Sequence, residues 1–167
     1  MGLIYFMKKH IKLSLLLVIL FLSFSSYTMG LGDSYSKILA DSKKINGASI
    51  YEQSDQHIVL KMPEWAGYYN TFFFDNNKTC RVAAYYQSEF SIRMDESVHQ
   101  GSGAKQLEGA FVNIKGSLKK VNIWFHKDRY LAYFSGTDKI SISMSAFTIK
   151  ELMFFLDLVI EDVNNIR

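Results

Sequence analysis

The chain has 167 residues, is 49% apolar and 15% aromatic, and carries 19 Lys and Arg against 16 Asp and Glu. That is enough apolar surface for a real core in one domain, and it excludes a disordered chain. The formal charge of +3 does not mark a polyanion binder: Lys8, Lys9 and Lys12 sit in an N-terminal leader, and setting them aside leaves 16 basic residues against 16 acidic ones, all from Asp33 onward. Beyond the leader only Lys43-Lys44 and Lys119-Lys120 are adjacent basic pairs, so no nucleic-acid partner is expected.

The leader reads as an export signal. The basic patch Lys8 to Lys12 precedes an apolar run from Leu13 to Phe24, and small residues follow at Ser25, Ser26, Thr28 and Gly30. The run is shorter than the roughly 20 residues a membrane-spanning helix needs. We therefore expect a cleaved signal over residues 1–30, with cleavage near Gly30 or two residues on at Gly32. A single extracytoplasmic domain over 31–167 follows, periplasmic or secreted, with no stable membrane span after processing.

Asp33 or Ser34 can cap a short amphipathic helix carrying Tyr35, Ile38, Leu39 and Ile45, ended by Gly47. From Ser49 the pattern alternates as strands do. Ile50 to Glu52 and His57 to Met62 flank the turn formers Ser54-Asp55-Gln56 as a hairpin, and Pro63 closes the second strand. Tyr68 to Phe74 and Thr79 to Tyr86, joined through Asp75-Asn76-Asn77, are apolar on both faces and read as central strands. Cys80 is the only cysteine, so no internal disulfide is available; it falls in phase with Val82, Ala84 and Tyr86 and reads as a buried small hydrophobe.

Phe90, Ile92 and Met94 alternate with Glu89, Ser91, Arg93 and Asp95, which predicts a strand buried on one side, followed by an aperiodic loop over Glu96 to Gln106. Four closely spaced strands come next, near Ala110 to Lys115, Lys119 to His126, Tyr130 to Ser135 and Lys139 to Met144, and links this short imply antiparallel neighbours. Their in-facing sets are Val121, Ile123 and Phe125, then Ile140, Ile142 and Met144. The last segment, Thr148 to Ile166, has a broad helical stripe through Ile149, Leu152, Met153, Phe155, Leu156, Val159, Ile160, Val163 and Ile166, and Thr148 with Glu151 makes a reciprocal cap. The expected fold is α+β: a meandering antiparallel sheet of about seven to nine strands, covered on one face by the C-terminal helix, with a short N-terminal helix.

Catalytic templates fit poorly. Gly101-Ser102-Gly103-Ala104-Lys105 lacks the phosphate-loop spacing, and His57, His99 and His126 form no local metal signature, so neither a metal nor a cofactor is predicted. Ser102 and His99, with Asp95 and Glu96 upstream, contain the residue types of a nucleophile and base but no nucleophile elbow. The favoured function is a non-enzymatic exported binding protein, such as an inhibitor, an immunity-type protein or an envelope accessory protein, with a protein or envelope component as partner. The alternative is an envelope hydrolase using the 95–108 loop with His99 as base. Candidate binding residues are Trp65, His99, Lys105, Trp124 and His126. Phe154 and Leu158 lie off the core stripe of the last helix; either the N-terminal helix covers them through Tyr35, Ile38 or Leu39, or they form an interface for a partner or a second copy.

Overall fold

A computed structural model describes residues 29–63, 67–107, 110–114, 117–135 and 140–163. Of the expected signal over 1–30 only Met29 and Gly30 are among the described residues, and Trp65 and residues 164–167 lie outside them. Among the described residues nine strands are present: β1 (Ser49–Gln53), β2 (His57–Lys61), β3 (Tyr69–Phe74), β4 (Cys80–Ser88), β5 (Lys105–Gln106), β6 (Ala110–Ile114), β7 (Ser117–His126), β8 (Arg129–Ser135) and β9 (Ile140–Ala146). They form an antiparallel sheet in the order β1-β2-β3-β4-β9-β8-β7-β5, with β6 paired to β7. Among the described residues three helices accompany it: α1 (Tyr35–Ser42), α2 (Glu89–Gly101) and α3 (Ile149–Val163). The α+β meander read from the sequence is the observed fold.

Cross-strand partners share a face, so the register sorts every side chain. One row runs Val59, Thr71, Ala84, Met144, Ala132, Ile123. It belongs to the face on which Val82, Tyr86, Val121, Phe134 and Ile142 are buried together with Leu152 and Leu156 of α3. Burying each of those two leucines is worth about 1.5–3 kcal/mol. The neighbouring row, Ile58, Phe72, Ala83, Ser145, Leu131, Trp124, faces the opposite way. On that face Ile38 of α1 packs with Ile58, Leu60, Phe72 and Phe74, while Ile92 of α2 packs with Trp124, Leu131 and Tyr133. The sheet is therefore covered on both faces, not on one as the sequence led us to expect.

Three further expectations change. The stretch around Phe90, Ile92 and Met94 is not a strand but the first half of α2, which continues through most of the expected loop to Gly101. Seven alternating residues are too short a sample to separate the two periods, and the deciding signal is the Ser88 side chain, which caps the helix by accepting from the Ser91 amide. The first helix stops at Ser42, before Gly47, although Gly47 still takes the left-handed backbone (φ 86°) of a turn. Of the two caps expected, Ser34 is the one used. Cys80 is buried, as expected, but on the other face from Val82. The register slips between Phe73–Val82 and Phe74–Cys80, so Arg81 is an extra residue and Cys80 turns toward the α1 cluster. Burial pushes its thiol up to about 12, which leaves no thiolate at neutral pH.

The bulge that displaces Cys80 also aims Arg81 at α3. Its Nε donates to Glu151 Oε1 at 2.9 Å, and its guanidinium lies 4.8 Å from the centre of the Phe147 ring. The other Glu151 oxygen accepts from the amide and hydroxyl of Thr148, whose hydroxyl accepts in turn from the Glu151 amide at 3.1 Å. The reciprocal cap is thus tied to the sheet by an ion pair. Burial raises the Glu151 carboxyl, but the bonds from Arg81 and Thr148 outweigh it and hold the group below its ordinary 4.5. A carboxyl lowered on folding contributes stability above its unfolded value and loses it as pH falls through the folded one. Glu151→Ala is expected to cost about 1–2 kcal/mol at neutral pH in urea titration. The gap to the parent protein should close as the titration is repeated below the ordinary glutamate range; a gap independent of pH would show that the carboxylate charge is not involved.

Phe154 and Leu158 are 66% and 43% exposed. Cover by the N-terminal helix is excluded, because α1 lies on the opposite face of the sheet from α3. Phe154→Gln with Leu158→Gln should therefore leave the melting free energy within about 0.5 kcal/mol of the parent, where an internal contact would show a loss of several times that.

Candidate functional site

The feature that gathers the chemistry is a cleft on the α1/α2 face. Strand β9 alternates Ile140, Ile142, Met144 and Ala146 with Ser141, Ser143 and Ser145. Ile142, Met144 and Ala146 pack beneath α3. The serines point the other way, where α1 covers β2 to β4 and α2 covers β7 and β8. Side chains this short leave the middle of the sheet unfilled. The resulting cleft has a volume of about 610 Å³, with Ser143 and Ser145 in its floor. One wall is the chain from Met29 to Asp33, the other is Asp95 and His99 of α2, and Arg129, Leu131 and Tyr133 of β8 reach in from the side.

The Met29–Asp33 wall is fixed to the sheet by its backbone. Gly32 donates to the Cys80 carbonyl at 2.9 Å and Cys80 to the Asp33 carbonyl at 2.8 Å. Tyr85 donates its hydroxyl to the Met29 carbonyl at 2.7 Å. Burial raises the Tyr85 phenol far out of the neutral range, so it stays a donor. A Cβ on Gly30 would stand 2.7 Å from the Tyr85 oxygen, so only glycine allows this approach. Asp33 turns back on the wall: its Oδ2 accepts from the Gly30 amide at 3.0 Å and from Lys37 Nζ at 2.9 Å.

Helix α2 is inverted relative to an ordinary surface helix. Phe90, Met94 and Val98 are exposed at 73%, 47% and 63%, and Ile92 is its buried apolar residue. Asp95, Glu96 and His99 turn toward the sheet because the sheet offers them hydrogen-bonding aromatics. Trp124 Nε1 donates to Glu96 Oε1 at 2.8 Å, and the Tyr133 hydroxyl donates to Asp95 Oδ2 at 3.0 Å. Burial, together with the Asp95 charge, raises the Tyr133 phenol well above its usual range, so it keeps its proton. His99 Nδ1 lies 3.0 Å from the Asp95 carbonyl and 2.9 Å from the Tyr133 oxygen. A carbonyl can only accept, and the Tyr133 hydrogen is committed to Asp95. His99 Nδ1 therefore carries a ring proton, shared between both oxygens, and in the neutral form of the ring Nε2 holds the lone pair.

Of the residues singled out from sequence, the structure brings His99, Trp124 and His126 together and separates Lys105. The His99 and His126 rings are 5.3 Å apart and nearly perpendicular. Trp124, a candidate binding residue, is only 6% exposed and packs with Ile92 beneath α2. Lys105 pairs with Phe125, which puts it on the other face of the sheet from Trp124 and His126. Ser102 donates to the His99 carbonyl at 2.9 Å and lies 3.3 Å from His126 Nε2, not beside a base in the cleft. Among the described residues no group of three or more His, Cys, Asp and Glu is placed to hold a metal ion.

Sequence reasoning missed Asp33, Tyr85, Arg129, Tyr133, Ser143 and Ser145. The serine alternation on β9 was the available signal; the pairing of Tyr133 with Asp95 and His99 bridges 34 or more positions and leaves no local trace. Tyr133→Phe is expected to cost about 1–2 kcal/mol, because it strips Asp95 of its donor and His99 of one acceptor. It should also change the ¹⁵N pattern of His99 toward a mixture of tautomers, which a purely packing role for the hydroxyl would not do. Searches against protein-family models, curated proteins and solved structures find no match to this chain.

Proposed function

We propose that the chain is an exported, non-enzymatic binding protein and that the cleft over β9 is its recognition site for a compact polar ligand. The observation that carries this reading is the cleft itself. Its volume of about 610 Å³ is in the range of small-molecule sites, and the groups converging on it are a guanidinium, two carboxylates, an imidazole and serine hydroxyls. The competing reading, an envelope hydrolase built on residues 95–108, draws support from the lone pair on His99 Nε2. It is weakened by Ser102, whose hydroxyl is engaged by the His99 carbonyl. Turnover of ester, peptide or glycan substrates that disappears in His99→Gln would favour the hydrolase.

Export rests on the leader, and the fold bears on where it would be cut. Met29 is 4% exposed and its carbonyl holds Tyr85. Cleavage after Thr28, with Ser26 and Thr28 as the small residues, keeps this anchor, whereas cleavage after Gly30 removes it. Among the described residues no helix is long and apolar enough to cross a membrane. A partner surface, for an envelope component or a second copy, is best sought at Phe154 and Leu158.

The test is ligand occupancy. Ser145→Phe fills the floor of the cleft at a partly exposed position and so should fold. In a thermal-shift screen of compact polar metabolites, the parent protein is expected to gain melting temperature with at least one class, and Ser145→Phe to lose that gain. Ligands that stabilise both proteins equally would place recognition elsewhere.

A further inference from the structure

Resting on the reading of the cleft as a binding site, we infer that its ligand is a small zwitterion, an amino acid or short peptide with both a free ammonium and a free carboxylate. The argument is the distribution of unspent hydrogen-bonding capacity along the walls. Arg129 enters from β8 and uses Nε on Asp128 at 3.1 Å. Its two terminal amino groups can still donate side by side, the geometry that receives a carboxylate.

Gln87 and the hydroxyls of Ser143 and Ser145 can donate or accept, whereas the charged groups facing Arg129 accept only. Asp33 spends Oδ2 on Gly30 and Lys37 and keeps Oδ1, while Lys37 divides its charge between Asp33 and Asp41 at 2.9 and 3.1 Å. Asp95 spends Oδ2 on Tyr133 and keeps Oδ1, which lies 3.7 Å from His99 Nδ1. His99 adds the Nε2 lone pair. The cleft therefore carries one cation with free donors and a set of acceptors with net negative charge, on side chains from three separate elements. A simple anion would satisfy Arg129 and meet Asp33 and Asp95 unfavourably; a simple cation would do the reverse. A neutral sugar would form no ion pair with the free donors of Arg129 or with the free oxygens of Asp33 and Asp95. A molecule with an ammonium and a carboxylate a few bonds apart pairs both.

The experiment is calorimetric titration of the full mature protein with the twenty amino acids, dipeptides with free termini, the N-acetylated and C-amidated forms of whichever of these bind, and a neutral disaccharide. A free zwitterion is expected to bind, with N-acetylation and amidation each weakening it about tenfold, the loss of one charge-assisted bond. Arg129→Gln, at a partly exposed position, should weaken the free form by a similar factor and leave the amide unchanged. Comparing amino acids with dipeptides distinguishes the two sources of the same chemistry. Binding of the disaccharide alone, or blocked forms that bind as well as free ones, overturns the zwitterion and leaves the cleft standing as a site. Binding of every class that persists undiminished in Ser145→Phe, or no binding by any probe, overturns the zwitterion and the site together.

Discussion

The alternation on β9 is the constraint on which the other features depend. Its apolar side chains fix α3 to one face, since Ile142, Met144 and Ala146 form a continuous cluster with Leu152 and Leu156. Its serines offer a covering helix on the opposite face little apolar contact, although Ser141 and Ser143 are themselves buried there. Two short covering elements result, α1 on the β2–β4 side and α2 on the β7–β8 side. The cleft is the space between them. Strand order makes this possible, since β9 lies between β4 and β8 although it is last in sequence. The final hairpin thus lays a strand of small polar residues into the middle of the sheet.

Much of the fold was legible because its local signals agree with its tertiary structure. The β7, β8 and β9 meander follows from short links and alternating side chains, and α3 from a helical stripe with a Thr148–Glu151 cap. The apolar character of both faces of β3 and β4 was readable too, and it implied two layers of cover even though one was assigned. What failed was the segment after Ser88. In Phe90, Ile92 and Met94 the alternation is a coincidence of a helix that points one of the three inward and leaves the other two exposed. Polarity normally marks the outside of a helix, and here it marks the side facing Trp124 and Tyr133. No pattern confined to residues 89–101 encodes that inversion, because its cause lies on strands some thirty residues away.

The site was legible only as an inventory of types. His99 and His126 were singled out as chemically capable and do meet, but Arg129 and Tyr133 are single residues in unremarked positions whose importance comes from register, and Asp33 was read only as a candidate helix cap. Arg129 pairs with His126, and Tyr133 sits in line with Ser143 and Tyr85. A one-residue slip of β8 against β9 would send both Arg129 and Tyr133 to the α3 face and dissolve the cleft. Conversely Trp124, conspicuous in sequence, owes its position to the core.

The inversion of α2 has an energetic consequence for the cleft. Burial of Ile92 contributes about 1.5–3 kcal/mol, and the bonds to Glu96, Asp95 and His99 contribute about 0.5–1.5 kcal/mol each after exchange with water. The exposed apolar side chains Phe90, Met94 and Val98 lose nothing when the helix lifts, because they are already in water. Detaching α2 therefore costs less than detaching α3, which is held by two fully buried leucines, a capped first turn and the Arg81–Glu151 pair. A wall fastened by a few polar bonds can open without the sheet opening, since the strands beneath it keep their own ladders. Those same bonds set the orientation of Asp95 and the tautomer of His99.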